Sequence, residues 1–177
     1  MNVFILNTGR CGSTTFIKAC SHIENYSSAH ESRITQTGKQ RLAYPSFHIE
    51  ADNRLSWFLG RLDNEYGNSA FYVHLKRNTK KTIESFCHRE NFGIMKAYKE
   101  GILLGADSQS TAEIAEDYIK TIEQNISLFL KDKTLKMNFN LENSSNDFKI
   151  FWEKISAEGN LEMALAEWSI AYNPSSG

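Results

Sequence analysis

Proline and cysteine are both scarce: two prolines, Pro45 and Pro174, and three cysteines, Cys11, Cys20 and Cys87, in 177 residues. With no low-complexity stretch and no internal repeat, nothing reads as a linker, and the length suits one domain spanning 1–177. The cysteines are too few and too scattered for a disulfide framework, and no C-x-x-C pair suggests zinc. Reduced thiols in a cytoplasmic protein are the expectation. Charge of one sign is also lacking: twenty Lys and Arg stand against 21 Asp and Glu. That balance argues against general nucleic-acid binding and against attachment to acidic membranes. It leaves room for one small anion held by a local basic cluster. Long apolar runs are missing too. The opening MNVFILNTGR has four consecutive apolar residues, Val3 to Leu6, and no basic leader, so it does not read as a signal peptide. No run approaches the ~18 residues of a membrane span.

What is present alternates between two periods. Val3 to Leu6 reads as a short buried strand, and Phe71 to Leu75 and Leu135 to Leu141 as two more. Thr8 to Thr14 is a turn, leading into a helix to about His22 with Phe16, Ile17 and Cys20 inward. Asn78 suits an N-cap for a helix running to about Arg89. Ser110-Thr111-Ala112-Glu113 has the form of a capping box. Behind it Ile114, Tyr118, Ile122, Ile126 and Leu130 recur at i+4 along one helical face. Phe148, Phe151, Trp152 and Ile155 mark another helix, and Leu161, Ala164, Leu165 and Trp168 the last. Strands alternating with helices imply an α/β fold, a three-layer αβα sandwich around a mainly parallel sheet. Ligands of such sheets bind beyond the carboxyl ends of the strands.

Two segments fall at those ends. The first is Asn7-Thr8-Gly9-Arg10-Cys11-Gly12-Ser13-Thr14-Thr15. Gly9 and Gly12 permit a tight bend, and the amides and hydroxyls of Ser13, Thr14 and Thr15 open a helix whose positive end suits phosphate or sulfate. Arg10 adds a charge with fork geometry for oxyanions. A Gly-rich turn with Ser/Thr caps would read the same way without any ligand. An ATP-binding P-loop would need a Lys directly before the Ser/Thr, where this chain has Gly12.

NTGRCGSTTF resembles the 5′-phosphosulfate loop of sulfotransferases that use 3′-phosphoadenosine 5′-phosphosulfate (PAPS) and release PAP. The second segment, FYVHLKRNTKKTIESF from Phe71 to Phe86, is similar to that family's strand-Arg-x7-Ser-helix element. The resemblance implies a P-loop-like sulfotransferase fold and sulfuryl transfer from PAPS to a hydroxyl acceptor, with no metal. It places Arg10, Cys11, Gly12, Ser13, Thr14 and Thr15 around the 5′-phosphosulfate, with Arg10 also acting in catalysis. Arg77 and Ser85 would share the 3′-phosphate. Lys80 and Lys81 read as a solvated helix start. The chain is shorter than most of the family. It also lacks the family's basic, Gly-rich C-terminal segment, since Asn160 to Gly177 contains no basic residue.

An acceptor hydroxyl must lose its proton to a placed base. In the family this is a His or Glu between the two donor motifs. Glu31 is the first expectation, with His30 its neighbour or alternate. His48, Glu50 and Asp52 form a second cluster that alternates as on one strand face; it would bind the acceptor, or His48 and Glu50 would supply the base in place of Glu31. His30, Glu31, His48, Glu50 and Asp52 together have the composition of a metal site, against which the resemblance speaks. His22, His74 and His88 read as structural, His74 as a satisfied core histidine. Cys11 reads as a loop-shaping thiol, and Trp57, Phe58 and Leu62 as core. A small kinase-like enzyme of nucleotide or phosphate chemistry, and a non-catalytic binding protein, are the alternatives. The acceptor itself is unreadable.

Overall fold

The computed structural model describes residues 1–105, 108–170 and 172. Val3–Leu6 (β1) has no exposed residue, so it needs neighbours on both edges and cover on both faces. It pairs in parallel with His48–Ala51 (β3) on one side and Phe71–Lys76 (β4) on the other, Val3 standing opposite Ile49 and Phe71. Ser27–His30 (β2) extends the sheet beyond β3, and Lys136–Asn140 (β5) beyond β4. The order is β2-β3-β1-β4-β5, and every pairing is parallel. All five strands therefore end on the same edge, the side where α/β sheets hold ligands.

Alternation along the strands builds two cores. Val3, Ile5, Ile49, Val73, Leu75 and Phe139 face Ser13–Cys20 (α1), Ser144–Lys154 (α6) and Leu161–Ala166 (α7). Phe16 of α1 meets Phe139 at 4.9 Å and Phe151 at 5.0 Å, both edge-on. Each such pair contributes about 0.5–1.5 kcal/mol beyond its buried area. On the opposite face Phe4, Leu6 and Tyr72 meet Leu62 of Leu59–Tyr66 (α2) and Phe86 of Thr79–Cys87 (α3). After a short helix, Gly93–Ala97 (α4), Thr111–Leu130 (α5) closes that face with Ile114, Tyr118, Ile122, Ile126 and Leu130, the i+4 row. The Ser110–Glu113 capping box forms in both directions.

The expected αβα sandwich is thus present, with its sheet wholly parallel. Three local expectations give way. Trp168 lies in a 3-10 turn, Glu167–Ser169, because the last helix stops at Ala166. Trp57 is 40% exposed at the end of the 3-10 segment Asn53–Trp57, whereas Leu62 is fully buried. His74 is buried, but its Nε2 has no hydrogen-bond partner.

Candidate active site

The loop leaving β1 is held by its own polar groups. Asn7 Oδ1 accepts from Gly9 N at 2.8 Å, and the Cys11 thiol donates to Gly9 O at 3.2 Å. Tyr118, from α5, donates its hydroxyl to Thr8 O at 2.8 Å. Gly9, Arg10 and Gly12 all take positive φ, 88°, 59° and 86°. Left-handed residues in succession turn backbone N–H groups into one concavity, a common anion cradle. A Cβ at Gly12 would also stand 2.7 Å from Leu141 Cδ1, so the Leu141 side chain would have to shift to admit one. As residue before the helix Gly12 offers no side chain to cap α1, so the helix start presents backbone donors and the positive end of its dipole. Burial pushes the Cys11 thiol up to about 11, so it stays neutral and shapes the loop, as expected.

The second segment arrives at the same place. Arg77 Nη1 donates to Arg10 O at 3.0 Å, and Arg10 Nε donates to Ser85 Oγ at 2.8 Å. Residues 75 positions apart are therefore in direct contact. Asn78 caps α3 by accepting from Lys81 N, which fixes where the helix starts and hence where Ser85 stands. Burial first, then the charges of Arg89 and Arg77, lower the Arg10 pKa from its ordinary value. Arg77 and Arg89 make no ion pair among the described residues. Guanidinium groups crowded in this way have the charge and donor geometry that suit an anion with several oxygens.

On the other side of β1, His30 ends the edge strand β2, and its Nε2 lies 2.9 Å from Ser13 Oγ. Glu31 follows in a left-handed conformation, φ 52°, with its carboxylate 3.0 Å from Arg54 Nη1. His48 and Glu50 share a face of β3, as the alternation implied, and both are enclosed. Glu50 accepts from Ser32 N and Ser32 Oγ, each at 2.7 Å, and lies 2.9 Å from His48 Nε2. Asp52 is equally buried, bonded to Arg41 Nη2 at 2.5 Å and to Arg54 N at 2.8 Å. The structure thus brings Arg10 to Thr15, Arg77, Ser85 and His30 together. It ties Glu50 to Ser32 in the turn after Glu31, His48 to Ser27 and Glu50, and Asp52 to Arg41 and Arg54. Among the described residues, no group of three or more His, Cys, Asp and Glu side chains has the arrangement of a metal site.

No family model and no curated protein matches this chain. Among solved structures it is similar to a chain described as "Sulfotransferase Domain from the Curacin Biosynthetic Pathway". The TM-score is 0.63 at 15% identity, over 99% of this chain and 80% of that one. The chain has a sulfotransferase-like fold. Identity this low carries the arrangement of the backbone and nothing finer.

Two site residues escape a motif reading. Arg89 acts on Arg10 from the turn after α3, eleven residues into what reads as an ordinary surface helix end. Tyr118 reads as one more apolar position of the α5 row, yet its hydroxyl is what ties α5 to the loop. Neither has a local signal, because each role depends on packing between distant segments.

Proposed function

We propose that this protein is a PAPS-dependent sulfotransferase acting on a hydroxyl acceptor. The observation that supports it best is the junction of the two donor motifs: Arg77 on the Arg10 carbonyl, and Arg10 on the Ser85 hydroxyl. Both the fold and the donor set fit such a ligand. The concave loop at Gly9 to Gly12 would take the 5′-phosphosulfate, and Arg77, Ser85 and Arg89 the 3′-phosphate that separates PAPS from ATP. When bound, PAPS supplies the sulfuryl group.

The chain's own contribution is positioning, charge and one proton transfer. Arg10 and the amides after Gly12 neutralise charge at the 5′ oxygens. His30 accepts the acceptor's proton, because its imidazole is the basic group that touches the loop, through Ser13. Glu31, the first expectation from sequence, is held by Arg54 and positions the end of β2. His48, Glu50 and Asp52, expected to bind acceptor, serve that same end by fixing Ser32, Arg41 and Arg54.

Calorimetric titration with PAP, ADP and ATP tests the donor half. Micromolar PAP binding with ADP at least ten-fold weaker, abolished in Arg77→Ala, is the expected result. Equal binding of PAP and ADP would mean that the 3′-phosphate is not read and would revive the kinase-like alternative.

A further inference from the structure

The sheet leaves a polar stretch of one face open at its β5 edge. Phe139 is fully buried on the side of α1 and α6, so its neighbours Lys136, Asn138 and Asn140 point to the α5 side, where all three are exposed. β4 sends His74 and Lys76 to that same side, with His74 directly opposite Asn138 in the pairing. α5 ends at Leu130, and Lys136 Nζ donates to the carbonyls of Leu130 at 2.5 Å and Lys131 at 2.9 Å. These segments together wall a cavity of about 460 Å³. It is separate from the loop after β1: neither residues 10–15 nor Arg77 and Ser85 line it.

The walls carry charge of one sign. Lys76, Lys131 and Lys136 line the cavity, and among the described residues no carboxylate and no Phe, Tyr or Trp ring does. None of the three lysines makes an ion pair among the described residues. Lys136 offsets the negative end of the α5 dipole and still has a third N–H to give. The acid that feels the Lys76 charge, Glu123, lines a neighbouring cleft instead. His74 is the buried polar member of the wall, and its Nε2 makes no hydrogen bond. A buried ring nitrogen without a partner is uncommon, and here it belongs to a cavity with three ammonium groups. Ammonium groups act as compact point charges rather than planar forks, which suits a doubly charged tetrahedral group. The volume is that of a small organic ligand, and the uncharged polar groups of His74, Asn138 and Ser127 suit a hydroxylated body. We infer that this cavity binds the phosphate monoester of a small polyol or sugar, its phosphate on the lysines and its hydroxyls toward His74 and Asn138. The inference stands apart from the sulfotransferase reading.

Calorimetric titration of the full chain at pH 7.5 tests it with glucose 6-phosphate, glycerol 3-phosphate, glucose 6-sulfate and inorganic phosphate. At least one of the two phosphate esters should bind about ten-fold more tightly than the singly charged sulfate ester and than phosphate alone. Lys131→Gln, at an exposed side chain, and His74→Leu should each lower that affinity by about ten-fold. An unchanged Tm of His74→Leu at pH 7.5 shows that the loss is not one of folding. Arg77→Ala and the pair Lys80→Gln/Lys81→Gln should leave ester binding unchanged. Ester binding that vanishes in Arg77→Ala puts the phosphate in the loop after β1 and overturns the proposal. Equal binding of sulfate ester or inorganic phosphate reduces the cavity to an unselective patch of charge and also overturns it, as does absence of binding by both esters. PAP affinity should be the same in Lys131→Gln as in the wild type. A parallel loss there would merge the two sites and overturn the inference, whereas failure of PAP to bind the wild type removes the donor reading alone.

Discussion

At the scale of single residues, the site is governed by backbone conformation as much as by side-chain chemistry. Gly12 combines φ 86° with a Leu141 side chain whose Cδ1 would lie 2.7 Å from any Cβ added there. Gly12→Ala therefore meets a backbone penalty of roughly 1–2 kcal/mol and a steric one on top. Its Tm should fall by several degrees and its affinity for PAP by at least ten-fold. Leu141→Ala added to it should recover part of the stability, since it relieves the clash, but not the affinity, since φ is unchanged. Full recovery of both would show that only the clash mattered. The base assignment is also a residue-scale matter. His30→Gln should lower kcat by about 10²–10⁴-fold while PAP affinity stays within three-fold, the usual contribution of a placed base. Glu31→Gln should have a smaller effect on kcat, reproduced by Arg54→Gln, because the two act as one ion pair. A larger loss in Glu31→Gln than in His30→Gln would return the role to Glu31.

At the scale of elements, legibility in the sequence followed local completeness. The strand β1 is apolar on both faces, β4 is broken only by His74 and its terminal Lys76, and α5 carries its start signal and its i+4 row within itself, so all three are readable from the chain alone. The capping box at Ser110 has both its bonds, and Ser110→Ala should cost α5 about 1 kcal/mol, read as a lower denaturation midpoint. By contrast β2, Ser27–His30, is a four-residue edge strand of sequence Ser-Ser-Ala-His with half its positions exposed and no large apolar residue, so it has no periodic signature. Its existence follows only from pairing with β3. The acidic alternation of His48, Glu50 and Asp52 was visible, but its direction was not. That the polar face of β3 is closed as well as the apolar one depends on Arg41 and Ser32 returning from a loop, and that is a tertiary fact. The same reasoning separates the residues proposed to hold the donor, each carried at a strand-to-helix junction with its own glycine or cap, from Arg89 and Tyr118. Tyr118→Phe keeps the ring packed against Phe86 and Tyr98 but loses the bond to Thr8 O. It should weaken PAP binding several-fold with a change in stability near 1 kcal/mol, the ordinary net value of a buried hydrogen bond.

For the whole molecule, the parallel sheet places a titratable group where solvent cannot stabilise its charge. His74 sits in the interior strand β4, on the face toward α5, 2% exposed. It lines a cavity of about 460 Å³ whose other walls include Lys76, Lys131 and Lys136. Burial first and then the Lys76 charge hold its pKa down to about 3, from 6.5. The native state therefore refuses a proton that the unfolded chain accepts, and the unfolded state binds more protons between these two values. Stability must then rise with pH over that interval. Above pH 6.5 the group contributes nothing to the pH dependence. Below it the penalty grows with each unit of acid and levels off only near pH 3. At pH 5 it amounts to about 2 kcal/mol, an appreciable share of what holds an ordinary domain together. Urea denaturation at pH 7.5 and pH 5 should show this loss in the wild type. His74→Leu keeps the side chain's bulk and removes the titration, and it also relieves the unpartnered Nε2. That variant should match or exceed wild-type stability at pH 7.5 and lose markedly less on going to pH 5. If both proteins lose stability equally, the acid sensitivity resides elsewhere, and His74 is protonated in the folded state with one of its neighbours moved aside.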